Sequence, residues 1–249
     1  MYEERPSLLL PGAVVWRAEP VAGVPGAVLP DGCMDLIWAD GELWVAGTDS
    51  RPHTQGDLAA ARFAGVRLPP GTAPALLGVP AYELLDRRVP LADVLRSGPA
   101  GAVAGAAARA RAAEGTGEPG RALEALAAAL AAGAPPPDPL AGAIVAGLAA
   151  GRSVAEAAGA VGLGARQLHR RSLAAFGYGP KTLARVLRLR RALALVRRGL
   201  PAVEIAAAVG CADQAHLNRE FRELAGTTPG AYRSANSETP APSGSSTTA

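Results

Sequence analysis

The chain has almost no cysteine, a single lysine and few aromatic rings. Its two cysteines, Cys33 and Cys211, stand far apart in 249 residues, which excludes a disulfide framework and gives no Cys-based metal cluster. A reducing, cytoplasmic setting fits. Lys181 is the only lysine. With so many Ala, Gly, Pro and Arg residues, that matches GC-rich coding, so the excess of Arg over Lys is not evidence of function. Three Trp, four Tyr and three Phe leave an apolar content supplied mostly by Ala, and helix packing is expected to dominate. Long apolar runs are missing too. Ala122–Ala134 is too short for a membrane span and contains Glu124. The start, Met1-Tyr2-Glu3-Glu4-Arg5-Pro6, is acidic and Pro-interrupted, unlike a signal peptide. There is no P-loop, dinucleotide fingerprint or nucleophile elbow, and no His-x-His pair. Neither a catalytic centre nor a bound metal or cofactor is expected.

What is present is apolar to 49%, enough to bury the cores of two modest domains. The net charge of +3 hides a division. Residues 1–137 hold 11 Arg against 15 acids, whereas residues 138–233 hold 14 Lys and Arg against six acids. A basic C-terminal part beside an acidic N-terminal one points to a polyanion partner for the former.

Residues 7–78 read as β-rich, with candidate strands Leu8–Arg17, Cys33–Ala39, Leu43–Ala46 and Arg62–Leu68. Asp40-Gly41 suits the positive φ values of a type I′ turn, which predicts a hairpin. From Leu91 the pattern becomes helical over Leu91–Ala113 and Arg121–Ala132, the latter with Leu123, Leu126 and Leu130 at helical spacing. Ala134-Pro135-Pro136-Pro137-Asp138-Pro139 cannot be helix interior and reads as a stiff linker. The expected organisation is a β-rich domain over 1–90, a helical extension and candidate dimer contact over 91–133, a linker over 134–139, a helical domain over 140–233 and a disordered tail over 234–249. The fold class is α+β, multidomain.

The helical domain contains one unit twice. Glu156-Ala157-Ala158-Gly159-Ala160-Val161-Gly162 aligns with Glu204-Ile205-Ala206-Ala207-Ala208-Val209-Gly210, an offset of 48 residues. Leu168-His169-Arg170 then aligns with Leu217-Asn218-Arg219 at an offset of 49. Each copy reads as a short helix, a glycine-marked turn and a second helix with basic residues on one side, the sequence form of a helix-turn-helix. In the first copy Ser153-Val154-Ala155-Glu156 is a capping-box pattern, and Arg166, His169 and Arg170 share one face of the second helix, with Gln167 beside them. In the second copy Asp213 is the expected N-cap, and Gln214, Ala215, His216 and Arg219 occupy the corresponding face. Arg suits guanine and Gln suits adenine in the major groove. Between the copies a basic helix from Lys181 to about Arg198 offers Lys181, Arg185, Arg188, Arg191 and Arg198 for phosphate contacts.

At these residues the chain resembles the AraC/XylS family of bacterial transcription regulators, over about Leu140–Arg233. The second unit is the more specific, from Glu204-Ile205-Ala206 through Gly210-Cys211-Ala212-Asp213-Gln214-Ala215-His216-Leu217-Asn218-Arg219-Glu220-Phe221 to Thr228-Pro229-Gly230-Ala231-Tyr232-Arg233. The resemblance implies two helix-turn-helices on a central helix, promoter DNA as partner, and RNA polymerase as a candidate second partner. Base contacts would fall to Arg166, His169 and Arg170, then Ala215, His216 and Arg219. Ser172 departs from the family, which has Phe there, as Phe221 does in the second copy; a lost buried ring and a hydroxyl to satisfy are expected. Cys211 stands where an aromatic is common.

Leu29-Pro30-Asp31-Gly32-Cys33-Met34-Asp35-Leu36-Ile37-Trp38, Pro69-Pro70-Gly71-Thr72-Ala73-Pro74 and Gly78-Val79-Pro80 are similar to a sensor-like domain that precedes such DNA-binding domains in actinobacterial regulators. This implies a cupin-like β fold and a regulatory role, with an effector of unknown identity. Trp38 and Trp44 are candidate lining residues for an effector pocket.

The expected function is sequence-specific, effector-responsive transcription regulation, by a cytoplasmic protein with no membrane partner and a homodimer as a candidate assembly. Two other readings stay open. In one, the N-terminal domain is an enzyme or DNA-repair module with Cys33 as nucleophile, delivered by the DNA-binding domain. In the other, the protein is a non-specific architectural DNA binder.

Overall fold

The computed structural model describes residues 2–19, 27–54, 62–95 and 119–236, with Gly105 and Ala108 besides. The expected helix Leu91–Ala113 and tail lie largely outside them.

The N-terminal strands are β1 (Tyr2–Pro6), β2 (Val14–Ala18), β3 (Ala27–Val28), β4 (Met34–Ala39), β5 (Glu42–Ala46), β6 (His53–Thr54), β7 (Phe63–Leu68) and β8 (Arg88–Pro90). Six form an antiparallel sheet in the order β1-β2-β7-β4-β5-β8, while β3 and β6 pair separately. The β4–β5 hairpin turns on Asp40 and Gly41, with φ of 42° and 94°, as the Asp-Gly pair predicts.

The expected strand Leu8–Arg17 is corrected: only its end, from Val14, is strand, and the residues before it turn the chain back from β1. Pro11 and Gly12, the latter at φ 73°, reverse the chain, and the Ser7 amide donates to the Ala13 carbonyl at 2.8 Å. Leu8 and Leu9 are left 85% and 55% exposed. Their apolar run mimics a strand, while the real first strand, Tyr-Glu-Glu-Arg-Pro, lies at the sheet edge and is polar.

Alternation along the strands sorts side chains onto two faces. One carries Val15, Leu36, Trp38, Val45 and Val66 and packs against α1 (Ala73–Leu77), α2 (Leu91–Val94) and α3 (Pro119–Gly133). Leu123, Leu126 and Leu130 of α3 insert into this core at the helical spacing read from the sequence. That stripe is therefore used within the subunit. The other face carries Ala18, Ile37, Ala39, Ala46 and Phe63 beside Trp16 and Trp44.

Trp38 and Trp44 consequently do not line one pocket, a correction to the expected effector site. The two-residue turn pairs Trp38 with Leu43 and Ile37 with Trp44, so the two indoles project from opposite faces.

Seven helices follow: α4 (Pro139–Ala149), α5 (Val154–Ala160), α6 (Ala165–Phe176), α7 (Pro180–Arg197), α8 (Ala202–Val209), α9 (Gln214–Ala225) and α10 (Pro229–Asn236). Asp138, in the proline-rich run, caps α4 by accepting from the Leu140 amide at 3.0 Å, with Pro139 at the position where a missing amide costs nothing. The central helix α7 serves two cores. Leu183, Val186 and Leu187 pack with Ile144, Leu168 and Phe176, whereas Leu189, Leu193 and Val196 pack with Ile205, Leu217 and Phe221.

The domains meet along a seam. The Thr48 hydroxyl donates to the Phe176 carbonyl at 2.9 Å. A side chain on Gly177, at φ 80°, would approach Thr48 Oγ1 to 2.6 Å and the Ala81 carbonyl to 3.3 Å. Leu85 packs against the first helical core and Leu29 against the second.

Candidate nucleic-acid interface

Each repeated unit is held by local chemistry. Ser153 and Glu156 close a full capping box at the start of α5, with hydrogen bonds of 3.2 and 2.8 Å. Gly162 turns the chain at φ 65° into α6. In the second unit Gly210 turns at φ 77°, and Asp213 caps α9 by accepting from the His216 amide at 2.6 Å. These caps satisfy amides that the first helical turn leaves without partners; Ser153 sets where the first helix of its unit begins and Asp213 where the second helix of its unit does.

On α6, Arg166, Gln167, His169 and Arg170 are all exposed. Gln167 Oε1 accepts from the Gly164 amide at 3.1 Å, so part of its hydrogen-bonding capacity serves the helix start. A side chain on Gly179 would meet the His169 ring at 3.1 Å, so that imidazole lies over the turn into α7. The buried stripe of α6 is Leu168, Ser172 and Phe176, with Leu173 only half-buried. Ser172 is fully buried and its hydroxyl has no hydrogen-bond partner among the described residues, the consequence expected of a serine in an aromatic position.

On α9, Gln214, Ala215 and Arg219 are exposed. His216 is turned toward the preceding loop: its Nδ1 accepts from the Ala212 amide at 3.3 Å, and its Nε2 lies 3.7 Å from Glu220 Oε1. Charge divides unequally between the two helices. Arg166, Arg170 and Arg171 on α6 face no acid within the helix, while α9 sets Arg219 and Arg222 beside Glu220 and Glu223.

Of the five expected phosphate contacts, Arg198 is exposed just past the end of α7, and the four on α7 are placed differently from one another. Lys181 is exposed. Arg185 bonds Glu220 at 3.2 Å and also Glu223, and Arg188 reaches both oxygens of Glu220 at 2.8 and 3.0 Å. Arg191 donates to the Ala208 carbonyl at 2.7 Å, at the C-terminal end of α8 where a cation is favoured. Three of the four thus tie α7 to its neighbours. Sequence reasoning passed over Glu220 and Glu223, although their i, i+3 spacing matches that of Arg185 and Arg188, the signature of two helix faces that can pair.

Two stretches of the chain match known families. Residues 150–235, which contain both repeated units, match the family described as "Helix-turn-helix domain". The C-terminal domain is thus similar to the helix-turn-helix domains of that family. Residues 13–90 match a domain of unknown function (DUF6597). No curated protein matches. Among solved structures, ToxT from Vibrio cholerae O395 is similar at 10% identity over 94% of this chain and 97% of that one, with a TM-score of 0.45. The same protein bound to (E)-4-(8-methylnaphthalen-1-yl)but-3-enoic acid is similar at 10% identity over 94% and 98%, with a TM-score of 0.46.

The helix-turn-helix match supports a DNA-binding transcription regulator. Its exposed α6 and α9 faces carry the cations and amides that such a role needs. Among the described residues no helix is long and apolar enough to cross a membrane. The alternative chemistry at Cys33 meets an unfavourable setting. Burial, with Asp31 adding to it, pushes the Cys33 thiol well above its ordinary value, which keeps it protonated and poorly nucleophilic.

Proposed function

We propose that this protein is a sequence-specific, effector-responsive transcription regulator whose α6 and α9 enter successive major-groove segments on one face of DNA. The observation that carries this reading is the pair of exposed recognition surfaces on one shared helix. α7 is 18 residues long, about 27 Å at 1.5 Å per residue, comparable with the ~34 Å repeat of DNA.

Base contacts fall to Arg166, Gln167, His169 and Arg170 of α6 and to Gln214, Ala215, His216 and Arg219 of α9. Lys181 and the amides at the starts of α6 and α9 supply phosphate contacts; Arg185, Arg188 and Arg191 reach phosphate only by giving up bonds inside the domain. Arg171 pairs with Asp138 at 2.5 Å, but with Arg166 and Arg170 exposed and no acid on its own helix, α6 contributes more of the salt-dependent attraction, and α9 more of the discrimination. The N-terminal domain grips both helical cores, so a signal received there alters how the two readers are held.

The test is to sequence genomic fragments captured by the purified protein, beside Arg170→Ala and Arg219→Ala. Two motif segments about one DNA turn apart, each altered by a different variant, support a two-headed reader. Capture without a motif refutes it and favours an architectural DNA binder.

A further inference from the structure

Asp49 and His53 come from the one connection between β5 and β6, and Asp86 comes from the loop before β8. The fold brings them together. His53 Nε2 is 3.2 Å from Asp49 Oδ1 and 3.8 Å from Asp86 Oδ1, and the three side chains are 13%, 9% and 22% exposed. One ligand atom from each lies within 4.8 Å of the others. Metal–nitrogen and metal–oxygen bonds of about 2.0–2.2 Å hold neighbouring donors roughly 3–3.6 Å apart, so a small movement of the Asp86 carboxylate completes the set.

Outer partners fix both carboxylates. Arg88 grips Asp49 with two hydrogen bonds of 2.7 and 2.9 Å. Ser50 holds Asp86 through its amide at 2.7 Å and its hydroxyl at 2.6 Å. Each carboxylate oxygen has a second lone pair, and hydrogen bonds of this kind orient ligating carboxylates.

The charge around the cluster favours a cation. Asp31, Asp35, Asp49 and Asp86 are each no more than 22% exposed. Among the described residues they share the guanidiniums of Arg67 and Arg88, and Arg190 reaches the Asp31 carbonyl at 3.4 Å. Even with Arg190 counted, four carboxylates face three cations.

We propose that Asp49, His53 and Asp86 bind a divalent first-row transition-metal ion, with Zn2+ the natural probe. One imidazole and two carboxylates suit such an ion, and three protein donors leave a position for water. The site lies on the seam. Thr48, next to Asp49, bonds the Phe176 carbonyl; Leu85, next to Asp86, packs on the first helical core; Pro52, next to His53, lies 3.5 Å from where a Gly226 side chain would begin. An ion drawing the three ligands together therefore fixes two loops, the β5–β6 connection and the loop before β8, that hold the DNA-binding domain. That regulatory meaning rests on the proposed function, whereas the binding test below uses no DNA, so the two can fail separately.

The test uses the full chain, freed of metal and titrated with Zn2+ alone. Stoichiometry comes from calorimetry, and the imidazole signals of the three histidines are followed by NMR. The expected result is one Zn2+ per chain with the His53 signal shifting first, and binding at least tenfold weaker in His53→Gln and in Asp86→Asn. Asn suits the positive φ of 55° at residue 86. Cys211→Ser, which removes a ligand from the other mixed grouping of Cys211, His216 and Glu220, is expected to bind as the parent does. The proposal is overturned by an unmoved His53 signal in the parent protein, by unchanged binding in folded variants, or by loss of binding in Cys211→Ser. The parent NMR titration decides even where a variant does not fold.

Discussion

Arg188 on α7 donates to both carboxylate oxygens of Glu220 on α9, at 2.8 and 3.0 Å. The pair clamps a recognition helix to the shared axis. Glu220 is 12% and Arg188 27% exposed, so the bond is worth more than a surface ion pair and loses part of its attraction to desolvation. Arg188→Ala, Glu220→Ala and the double variant should give a coupling of about 1–2 kcal/mol in urea unfolding. A coupling near zero contradicts the clamp.

Arg219 is exposed on the same helix, near the middle of the face assigned to bases. Arg219→Ala should cost about 1–3 kcal/mol at its preferred base and relax selection there. Binding to the operator and to single-base variants checks this. An equal loss on every sequence assigns Arg219 to phosphate instead.

Ser172 is buried in a helix interior with an unmatched hydroxyl. Ser172→Ala removes that penalty and adds helix propensity, so it should stabilise the protein by about 0.5–1 kcal/mol. Thermal unfolding reads the change; a lower Tm indicates a partner for the hydroxyl in solution.

Glu124 is buried in α3. Burial alone raises its carboxyl, but hydrogen bonds from Arg5, Ser7 and the Leu8 amide outweigh it and bring the group from the ordinary 4.5 to about 2. Since the folded value lies below the unfolded one, the stabilisation is present above pH 4.5 and is lost as pH falls toward 2. Glu124→Gln should therefore be destabilised by about 2–3 kcal/mol at pH 7, with the difference shrinking across that interval. A pH-independent difference would trace the loss to packing.

The helical domain was largely legible because its signals are local. Capping residues Ser153 and Asp213, the turn glycines and the leucine stripes act within a few residues of themselves, and the structure places helices where they point. The rest depends on contacts between elements. Arg185, Arg188 and Arg191 look like phosphate contacts until α8 and α9 supply nearer partners. β1 was missed because an edge strand need not be apolar. The separation of Trp38 from Trp44 was recoverable, since a two-residue turn at Asp40 and Gly41 already puts positions 38 and 44 on opposite faces. The convergence of Asp86 with Asp49 and His53 was not, as it requires two loops distant in sequence to meet.

One helix seated in two cores makes the distance between DNA half-sites a matter of counting residues. A single residue inserted near Arg188 would rotate one reader about 100° around the axis of α7 relative to the other, while moving it only ~1.5 Å. Four inserted residues would nearly restore the phase and advance the second reader by roughly 6 Å, under two base pairs. Under the proposed two-headed reading, the operator's permitted spacings are quantised by the α-helical turn on the protein side and by the base-pair step on the other, and only a few combinations of the two rulers coincide.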